Sequence, residues 1–251
     1  MSRVPILMYH QIMPRPDAAF AKYTVTPRAF AAQMRWLALA GYVPVSMTTL
    51  VAHRRRGEPW PRRAVVITFD DGFRDSLNFA LPVLQRHGFT AMFYLVTGLV
   101  GGTSRWMSGP PGQFPLGDWA AVRRLRDAGM HCGAHSVSHP ALAGCTAAEA
   151  RTELVESRRM LEDALGTEVV HFAYPYGSVT PGVRALAAEA GYVSACTGEK
   201  HLADERDDLL LLPRVPVYGR DTLLDFICRL RTAERPRQLA VRLLRVRPRR
   251  A

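Results

Sequence analysis

Five times along this 251-residue chain, a glycine closes a stretch of helical periodicity and a short apolar run follows it. The glycines are Gly41 (before Tyr42-Val43-Pro44-Val45), Gly88 (before Phe89-Thr90-Ala91-Met92-Phe93), Gly129 (before Met130-His131-Cys132-Gly133-Ala134), Gly166 (before Thr167-Glu168-Val169-Val170) and Gly191 (before Tyr192-Val193-Ser194-Ala195-Cys196). Glycine just past a helix relieves the left-handed C-terminal position, and the β-branched and aromatic residues beyond it favour a strand. The helix starts agree. Thr26-Pro27 and Thr180-Pro181 put a capping hydroxyl before a first-turn proline, and Thr146 with Glu149 predicts a capping box opening a long helix to about Leu165. Strands alternating with helices imply an α/β fold with a mainly parallel sheet, and seven or eight such units favour a closed or nearly closed barrel. With 48% apolar residues the chain can build one substantial core.

Charge divides the chain where hydropathy does not. The net charge is +11, but residues 229–251 hold nine Arg against a single Glu, so residues 1–228 carry only the remaining +3. We read 1–228 as the body and 229–251 as a basic C-terminal tail, with no specific nucleic-acid partner expected for the body. In the tail Leu239, Leu243 and Val246 recur at helical spacing beside Arg242 and Arg245. A peripheral contact with an anionic membrane is one reading of it, and a solvated terminus is the simpler one. No run approaches the ~18 apolar residues of a membrane span, and Val4 to Tyr9 is too short for a signal-peptide core. The expected location is therefore cytoplasmic, with the tail at the inner face of the membrane. Cys132, Cys145, Cys196 and Cys228 lack C-x-x-C spacing and read as free thiols.

Three segments carry the residue types that chemistry needs, each at a predicted strand end. Val65-Val66-Ile67-Thr68-Phe69 is a strand that runs into Asp70-Asp71-Gly72. Adjacent carboxylates in a turn point to different sides, so one can bind a metal while the other acts as a base. After the strand Met130 to Ala134 come His135 and His139, four apart, which can converge on one ion. Two imidazoles and a carboxylate leave positions open for water and substrate, as in a catalytic zinc-type site. The third segment, Phe172-Ala173-Tyr174-Pro175-Tyr176-Gly177, follows the predicted strand Val169-Val170-His171. Gly98 to Gly117, rich in Gly, Pro and Ser, reads as a long functional loop.

Together these motifs resemble carbohydrate esterase family 4, the NodB-homology polysaccharide deacetylases, over roughly residues 4 to 220. Thr68-Phe69-Asp70-Asp71, His135-Ser136-Val137-Ser138-His139 and the Tyr174-Pro175-Tyr176-Gly177 stretch match its first three motifs. The resemblance implies a distorted (β/α)7 barrel and removal of N-acetyl groups from the amino sugars of a polysaccharide or glycoconjugate. It makes Asp70 the general base and Asp71, His135 and His139 ligands of a divalent metal, first Zn2+, with Co2+, Ni2+ and Mn2+ as alternatives. Tyr176 would hold the oxyanion through its backbone N–H.

Two departures from the family pattern matter. The third-motif arginine that orients the base is replaced by Ala173, which makes Arg214, in Leu212-Pro213-Arg214-Val215-Pro216-Val217, the candidate substitute. No His follows His201, so the usual late histidine is missing. The opening Ile6-Leu7-Met8-Tyr9-His10 is similar to the poly-N-acetylglucosamine deacetylase branch, whose early histidine serves as the acid. His10 is therefore the expected proton donor, with His201 the weaker alternative. Trp106 in the long loop is a candidate sugar platform, Trp119 reads as core, and His53, His87, His131 and His171 read as surface or structural. Two other readings compete with deacetylation: a metal-dependent amidohydrolase of non-sugar amides or imides, and an inactive carbohydrate-binding protein, which the intact acid and ligand set disfavours.

Overall fold

In a computed structural model, which describes residues 3–107 and 113–234, seven short parallel strands form a ring. They are β1 (Ile6–Tyr9), β2 (Ala64–Phe69), β3 (Met92–Leu95), β4 (His131–Ala134), β5 (His171–Ala173), β6 (Ser194–Cys196) and β7 (Val215–Pro216). Strands β2 to β6 pair in chain order, and β1 lies between β2 and β7. Residues 212–217 close the circle. At one end the Leu212 N–H donates to Ala195 O (2.9 Å) and Leu212 O accepts from the Thr197 N–H (2.9 Å); at the other the Val217 N–H donates to Met8 O (3.0 Å). This is the expected distorted (β/α)7 barrel, its seam made by a two-residue strand.

All five glycines of the repeating pattern have positive φ, between 62° and 86°. The caps also form as expected: the Thr26 and Thr180 hydroxyls accept from the N–H groups of Ala29 and Val183, and Thr146 with Glu149 completes both halves of its box. The outer helices are α1 (Pro27–Leu39), α2 (Met47–Arg55), α3 (Arg74–Arg86), α4 (Trp119–Asp127), α5 (Ala147–Leu165), α6 (Pro181–Glu189) and α7 (Leu223–Thr232). Strand β2 is buried on both faces, as a central parallel strand must be. Its alternation sorts the core into two layers. Val65, Ile67 and Phe69 join the larger cluster with Phe30 of α1 and Leu77 of α3, while Ala64 and Val66 join Ile6, Met92 and Tyr94 in the smaller one.

Two boundaries move. The third-motif strand begins at His171 and includes Phe172 and Ala173, which the sequence reading put beyond its end. The tail boundary between residues 228 and 229 falls inside α7: Arg229 and Leu230 are buried, and Arg229 pairs with Asp221 at 3.1 Å. That helix therefore belongs to the barrel, and the candidate amphipathic segment around Leu239 to Val246 lies outside the described residues. Among the described residues no helix is long and apolar enough to cross a membrane.

His171 shows why a histidine can be purely structural. Its ring is buried at the start of β5, with Nδ1 2.8 Å from Ser194 Oγ and Nε2 2.9 Å from Thr48 Oγ1. Burial, helped by His131 and Arg55, lowers its pKa from 6.5 to about 4. The folded ring stays neutral while an unfolded one takes a proton below about pH 6.5, so its contribution is fully present above that pH and is lost towards pH 4. The loss approaches ~3 kcal/mol. Urea unfolding at pH 7.5 and 4.5 should show His171→Gln with a markedly smaller acid destabilisation than the parent. An equal loss in both would mean that other groups carry it.

Candidate active site

The C-terminal ends of β2, β4 and β5 release their chains into one cavity of about 530 Å³, in the size range of small-ligand sites. Asp70, Asp71, His135, His139, Tyr174 and Tyr176 all line it. Ligand-competent atoms of Asp71, His135 and His139 lie within 4.8 Å of one another, and all three residues are buried. Asp71 Oδ1 stands 3.4 Å from His135 Nε2 and 3.3 Å from His139 Nε2. The His135 Nδ1–H donates to Ala173 O at 2.7 Å, which orients the ring and directs Nε2 at Asp71. Burial works to raise the Asp71 carboxyl, but the two imidazoles hold it far below the usual range. Two nitrogens and one oxygen converging in a buried pocket suit a divalent, zinc-type ion.

Backbone strain gathers at this site. Of six non-glycine residues with positive φ among the described residues, four are here: Asp71 (75°), Ser136 (64°), His139 (68°) and Tyr176 (58°). Each such conformation costs about 1–3 kcal/mol and persists only where surrounding contacts enforce it. The enforcement is visible for the His135–His139 loop. Glu153 of α5 accepts from the Val137 N–H (2.7 Å), the Ser138 N–H (3.0 Å) and the Ser138 hydroxyl (2.6 Å). Ser136 Oγ accepts from the His139 N–H at 2.9 Å. Below the loop, a Cβ at Gly98 would meet Val137 O at 2.8 Å, so only glycine fits there. Glu153 escaped the sequence reading because it is one of several acids on α5, and only the packing of that helix under the loop singles it out.

Asp70 is held from across the barrel seam. Both its oxygens accept from Arg214, at 2.6 and 2.7 Å, and both side chains are almost fully buried. The remaining guanidinium donors reach Thr197 O and Thr68 Oγ1, at 3.2 and 3.3 Å. Such a fork fixes the carboxylate in plane as well as in distance. Burial would raise the Asp70 carboxyl, yet Arg214 and His135 outweigh it and keep it below the ordinary carboxylate range. The guanidinium of Arg214, the residue just before β7, thus lies against Asp70, the carboxylate that the sequence reading paired it with in place of an arginine at position 173.

His10 is half-buried at the end of β1 and lines the same cavity, its carbonyl accepting from Ser76 Oγ at 2.7 Å. Burial lowers its pKa, against the pull of Asp71 and Asp70. His201 lies elsewhere: exposed, outside this cavity, with Nε2 3.1 Å from a Glu199 carboxylate oxygen. Trp106 stacks on His139 with ring centroids 4.4 Å apart, so one of its faces covers a ligand candidate. Trp119 opens α4 and packs on the core. Tyr176 occupies its left-handed turn with its ring edge-on to His139 at 4.6 Å and mostly exposed.

Residues 57–195, which include both aspartates, both histidines and the β5 strand, match the family model described as polysaccharide deacetylase. The chain belongs to the polysaccharide deacetylase family. Among its relatives is the Bacillus subtilis (strain 168) protein YxkH, provisionally named a polysaccharide deacetylase, 24% identical over 86% of this chain and 72% of its own length. The poly-beta-1,6-N-acetyl-D-glucosamine N-deacetylase of Escherichia coli (strain K12) is 37% identical, but over only 28% of this chain and 10% of that enzyme. In architecture, this polysaccharide deacetylase is similar to the Streptococcus pyogenes deacetylase PplD solved with acetate, with a TM-score of 0.80 at 24% identity, covering 91% of this chain and 98% of that one.

Proposed function

We propose that this polysaccharide deacetylase is a metal-dependent hydrolase that removes N-acetyl groups from amino sugars of a polysaccharide or glycoconjugate. The observation that supports it most is a buried carboxylate, Asp70, clamped by Arg214 directly beside a three-residue site suited to a divalent ion. Asp71, His135 and His139 would hold that ion. Zn2+ fits the donor set most simply, and when bound it would polarise the amide carbonyl and acidify the attacking water. Asp70 is charged at any ordinary pH and accepts the proton of that water, its lone pairs aimed by Arg214. The backbone N–H of Tyr176 steadies the oxygen on which charge develops. His10, facing the cavity from β1, passes a proton to the leaving amine.

The test is acetate release from N-acetylated oligosaccharides set against small amides and cyclic imides, with Zn2+, Co2+, Ni2+ or Mn2+ restored after chelation. Turnover of the amide or imide set alone would replace this reading with the amidohydrolase one. In the same assay His10→Ala should lower turnover by about 10²–10⁴-fold, the usual scale for a general acid. A near-normal rate there, with a collapse in His201→Ala, would move the role to His201.

A further inference from the structure

This chain has 31 Arg and only two Lys, and both lysines, Lys22 and Lys200, line the catalytic cavity. They reach it from different parts of the fold, Lys22 from the segment between β1 and α1 and Lys200 from the segment after β6. Both are exposed at the mouth. Among the described residues neither ammonium forms an ion pair. Among the described residues the one arginine on the cavity wall, Arg214, is paired with Asp70. Lys22 donates to the Tyr23 hydroxyl at 3.1 Å and lies 4.8 Å from that ring's centroid, contacts that hold the amine at the rim without neutralising it.

We infer that the amino sugar deacetylated here carries a phosphate group, which Lys22 and Lys200 recognise at the mouth of the cavity. The inference rests on the deacetylase reading and narrows its substrate. A neutral N-acetylglucosamine polymer offers two ammonium groups hydrogen-bond acceptors but no opposite charge, and each deacetylation adds a positive charge that they would repel. Between anions, the choice of lysine favours phosphate. Arginine's planar fork takes carboxylate and phosphate alike, whereas two ammonium groups on flexible stems act as point charges that can close on one tetrahedral phosphate and match its charge of about −1.5 to −2 better than the single charge of a carboxylate. In a chain that otherwise uses arginine almost without exception, lysine at both places on this rim is a chemical preference rather than a supply of charge.

The experiment compares kcat/KM of the metal-loaded enzyme on triacetylchitotriose, N-acetylglucosamine 1-phosphate and an N-acetylmuramic acid disaccharide, in the parent and in Lys22→Met, Lys200→Met and the double variant. The phosphorylated sugar should be preferred by tenfold or more at low salt, and the preference should shrink as salt rises. Each substitution should cut the phosphorylated-to-neutral ratio by about tenfold, mainly through KM, with partial recovery in Lys→Arg. Because the ratio is internal, a folding defect lowers both rates and leaves it unmoved. Equal use of the neutral and phosphorylated sugars by the parent, or a ratio unchanged in the double variant, overturns the inference, and a preference for the carboxylate sugar replaces phosphate with carboxylate. Calorimetric binding of N-acetylglucosamine 1-phosphate separates the two levels. Lysine-dependent binding without acetate release would sink the deacetylase reading and keep the phosphate site, while acetate release with no such binding does the reverse.

Discussion

Replacing Asp70 with Asn should leave the bound metal near one per chain and lower acetate release by 10²–10⁴-fold or more, because the variant keeps the shape of the side chain and loses its basicity. The Arg214 fork adds a second consequence. With Asp70 uncharged, the guanidinium is left buried without its counter-ion, a situation that typically costs about 3–5 kcal/mol. Asp70→Asn should therefore also unfold at lower temperature. Adding Arg214→Met to it should recover much of the stability, since a buried pair removed as a whole is often close to neutral. It should recover none of the activity. Calorimetry, metal analysis and turnover on the three proteins read these effects separately, and an Asp70→Asn enzyme retaining a tenth of its rate would dismiss Asp70 as the base.

Metal and activity should disappear together in His139→Ala. Removing one of three ligands from a compact site costs most of its affinity, so dialysed protein should hold well below one ion per chain. The left-handed backbone at position 139 complicates alanine, so His139→Asn, whose side chain tolerates that region, serves beside it. Both variants should lose the ion while their far-ultraviolet spectra match the parent. Stoichiometric metal in either would exclude His139 as a ligand.

What could be read before the structure follows from how local each signal is. The strand-end positions of Asp70 and His135 were legible because glycine stops and β-branched runs act over a few residues. Arg214 could be named only as a substitute for what Ala173 lacks; its contact with Asp70 spans 144 positions, and nothing nearby announces it. Glu153 was invisible, because an acid on an exposed-looking helix face becomes a clamp only once α5 lies beneath the His135–His139 loop. The placement of the tail at residue 229 went wrong because charge was taken for exposure, while Arg229 is buried against Asp221 with its guanidinium 5.0 Å from the Tyr218 ring centroid.

The seam at residues 212–217 has a meaning in time as well as in space. During synthesis, at ~5–20 residues per second, β2 and the two aspartates that follow it leave the ribosome well before the seventh strand exists, and domains generally fold as units. Until residue 214 arrives, Asp70 has no arginine beside it, and the ring has no closing strand. The same segment of chain therefore brings both the closing strand of the barrel and the arginine that grips Asp70. A ribosome-stalled or truncated product ending before Leu212 would contain Asp71, His135 and His139, yet lack the arginine that grips Asp70.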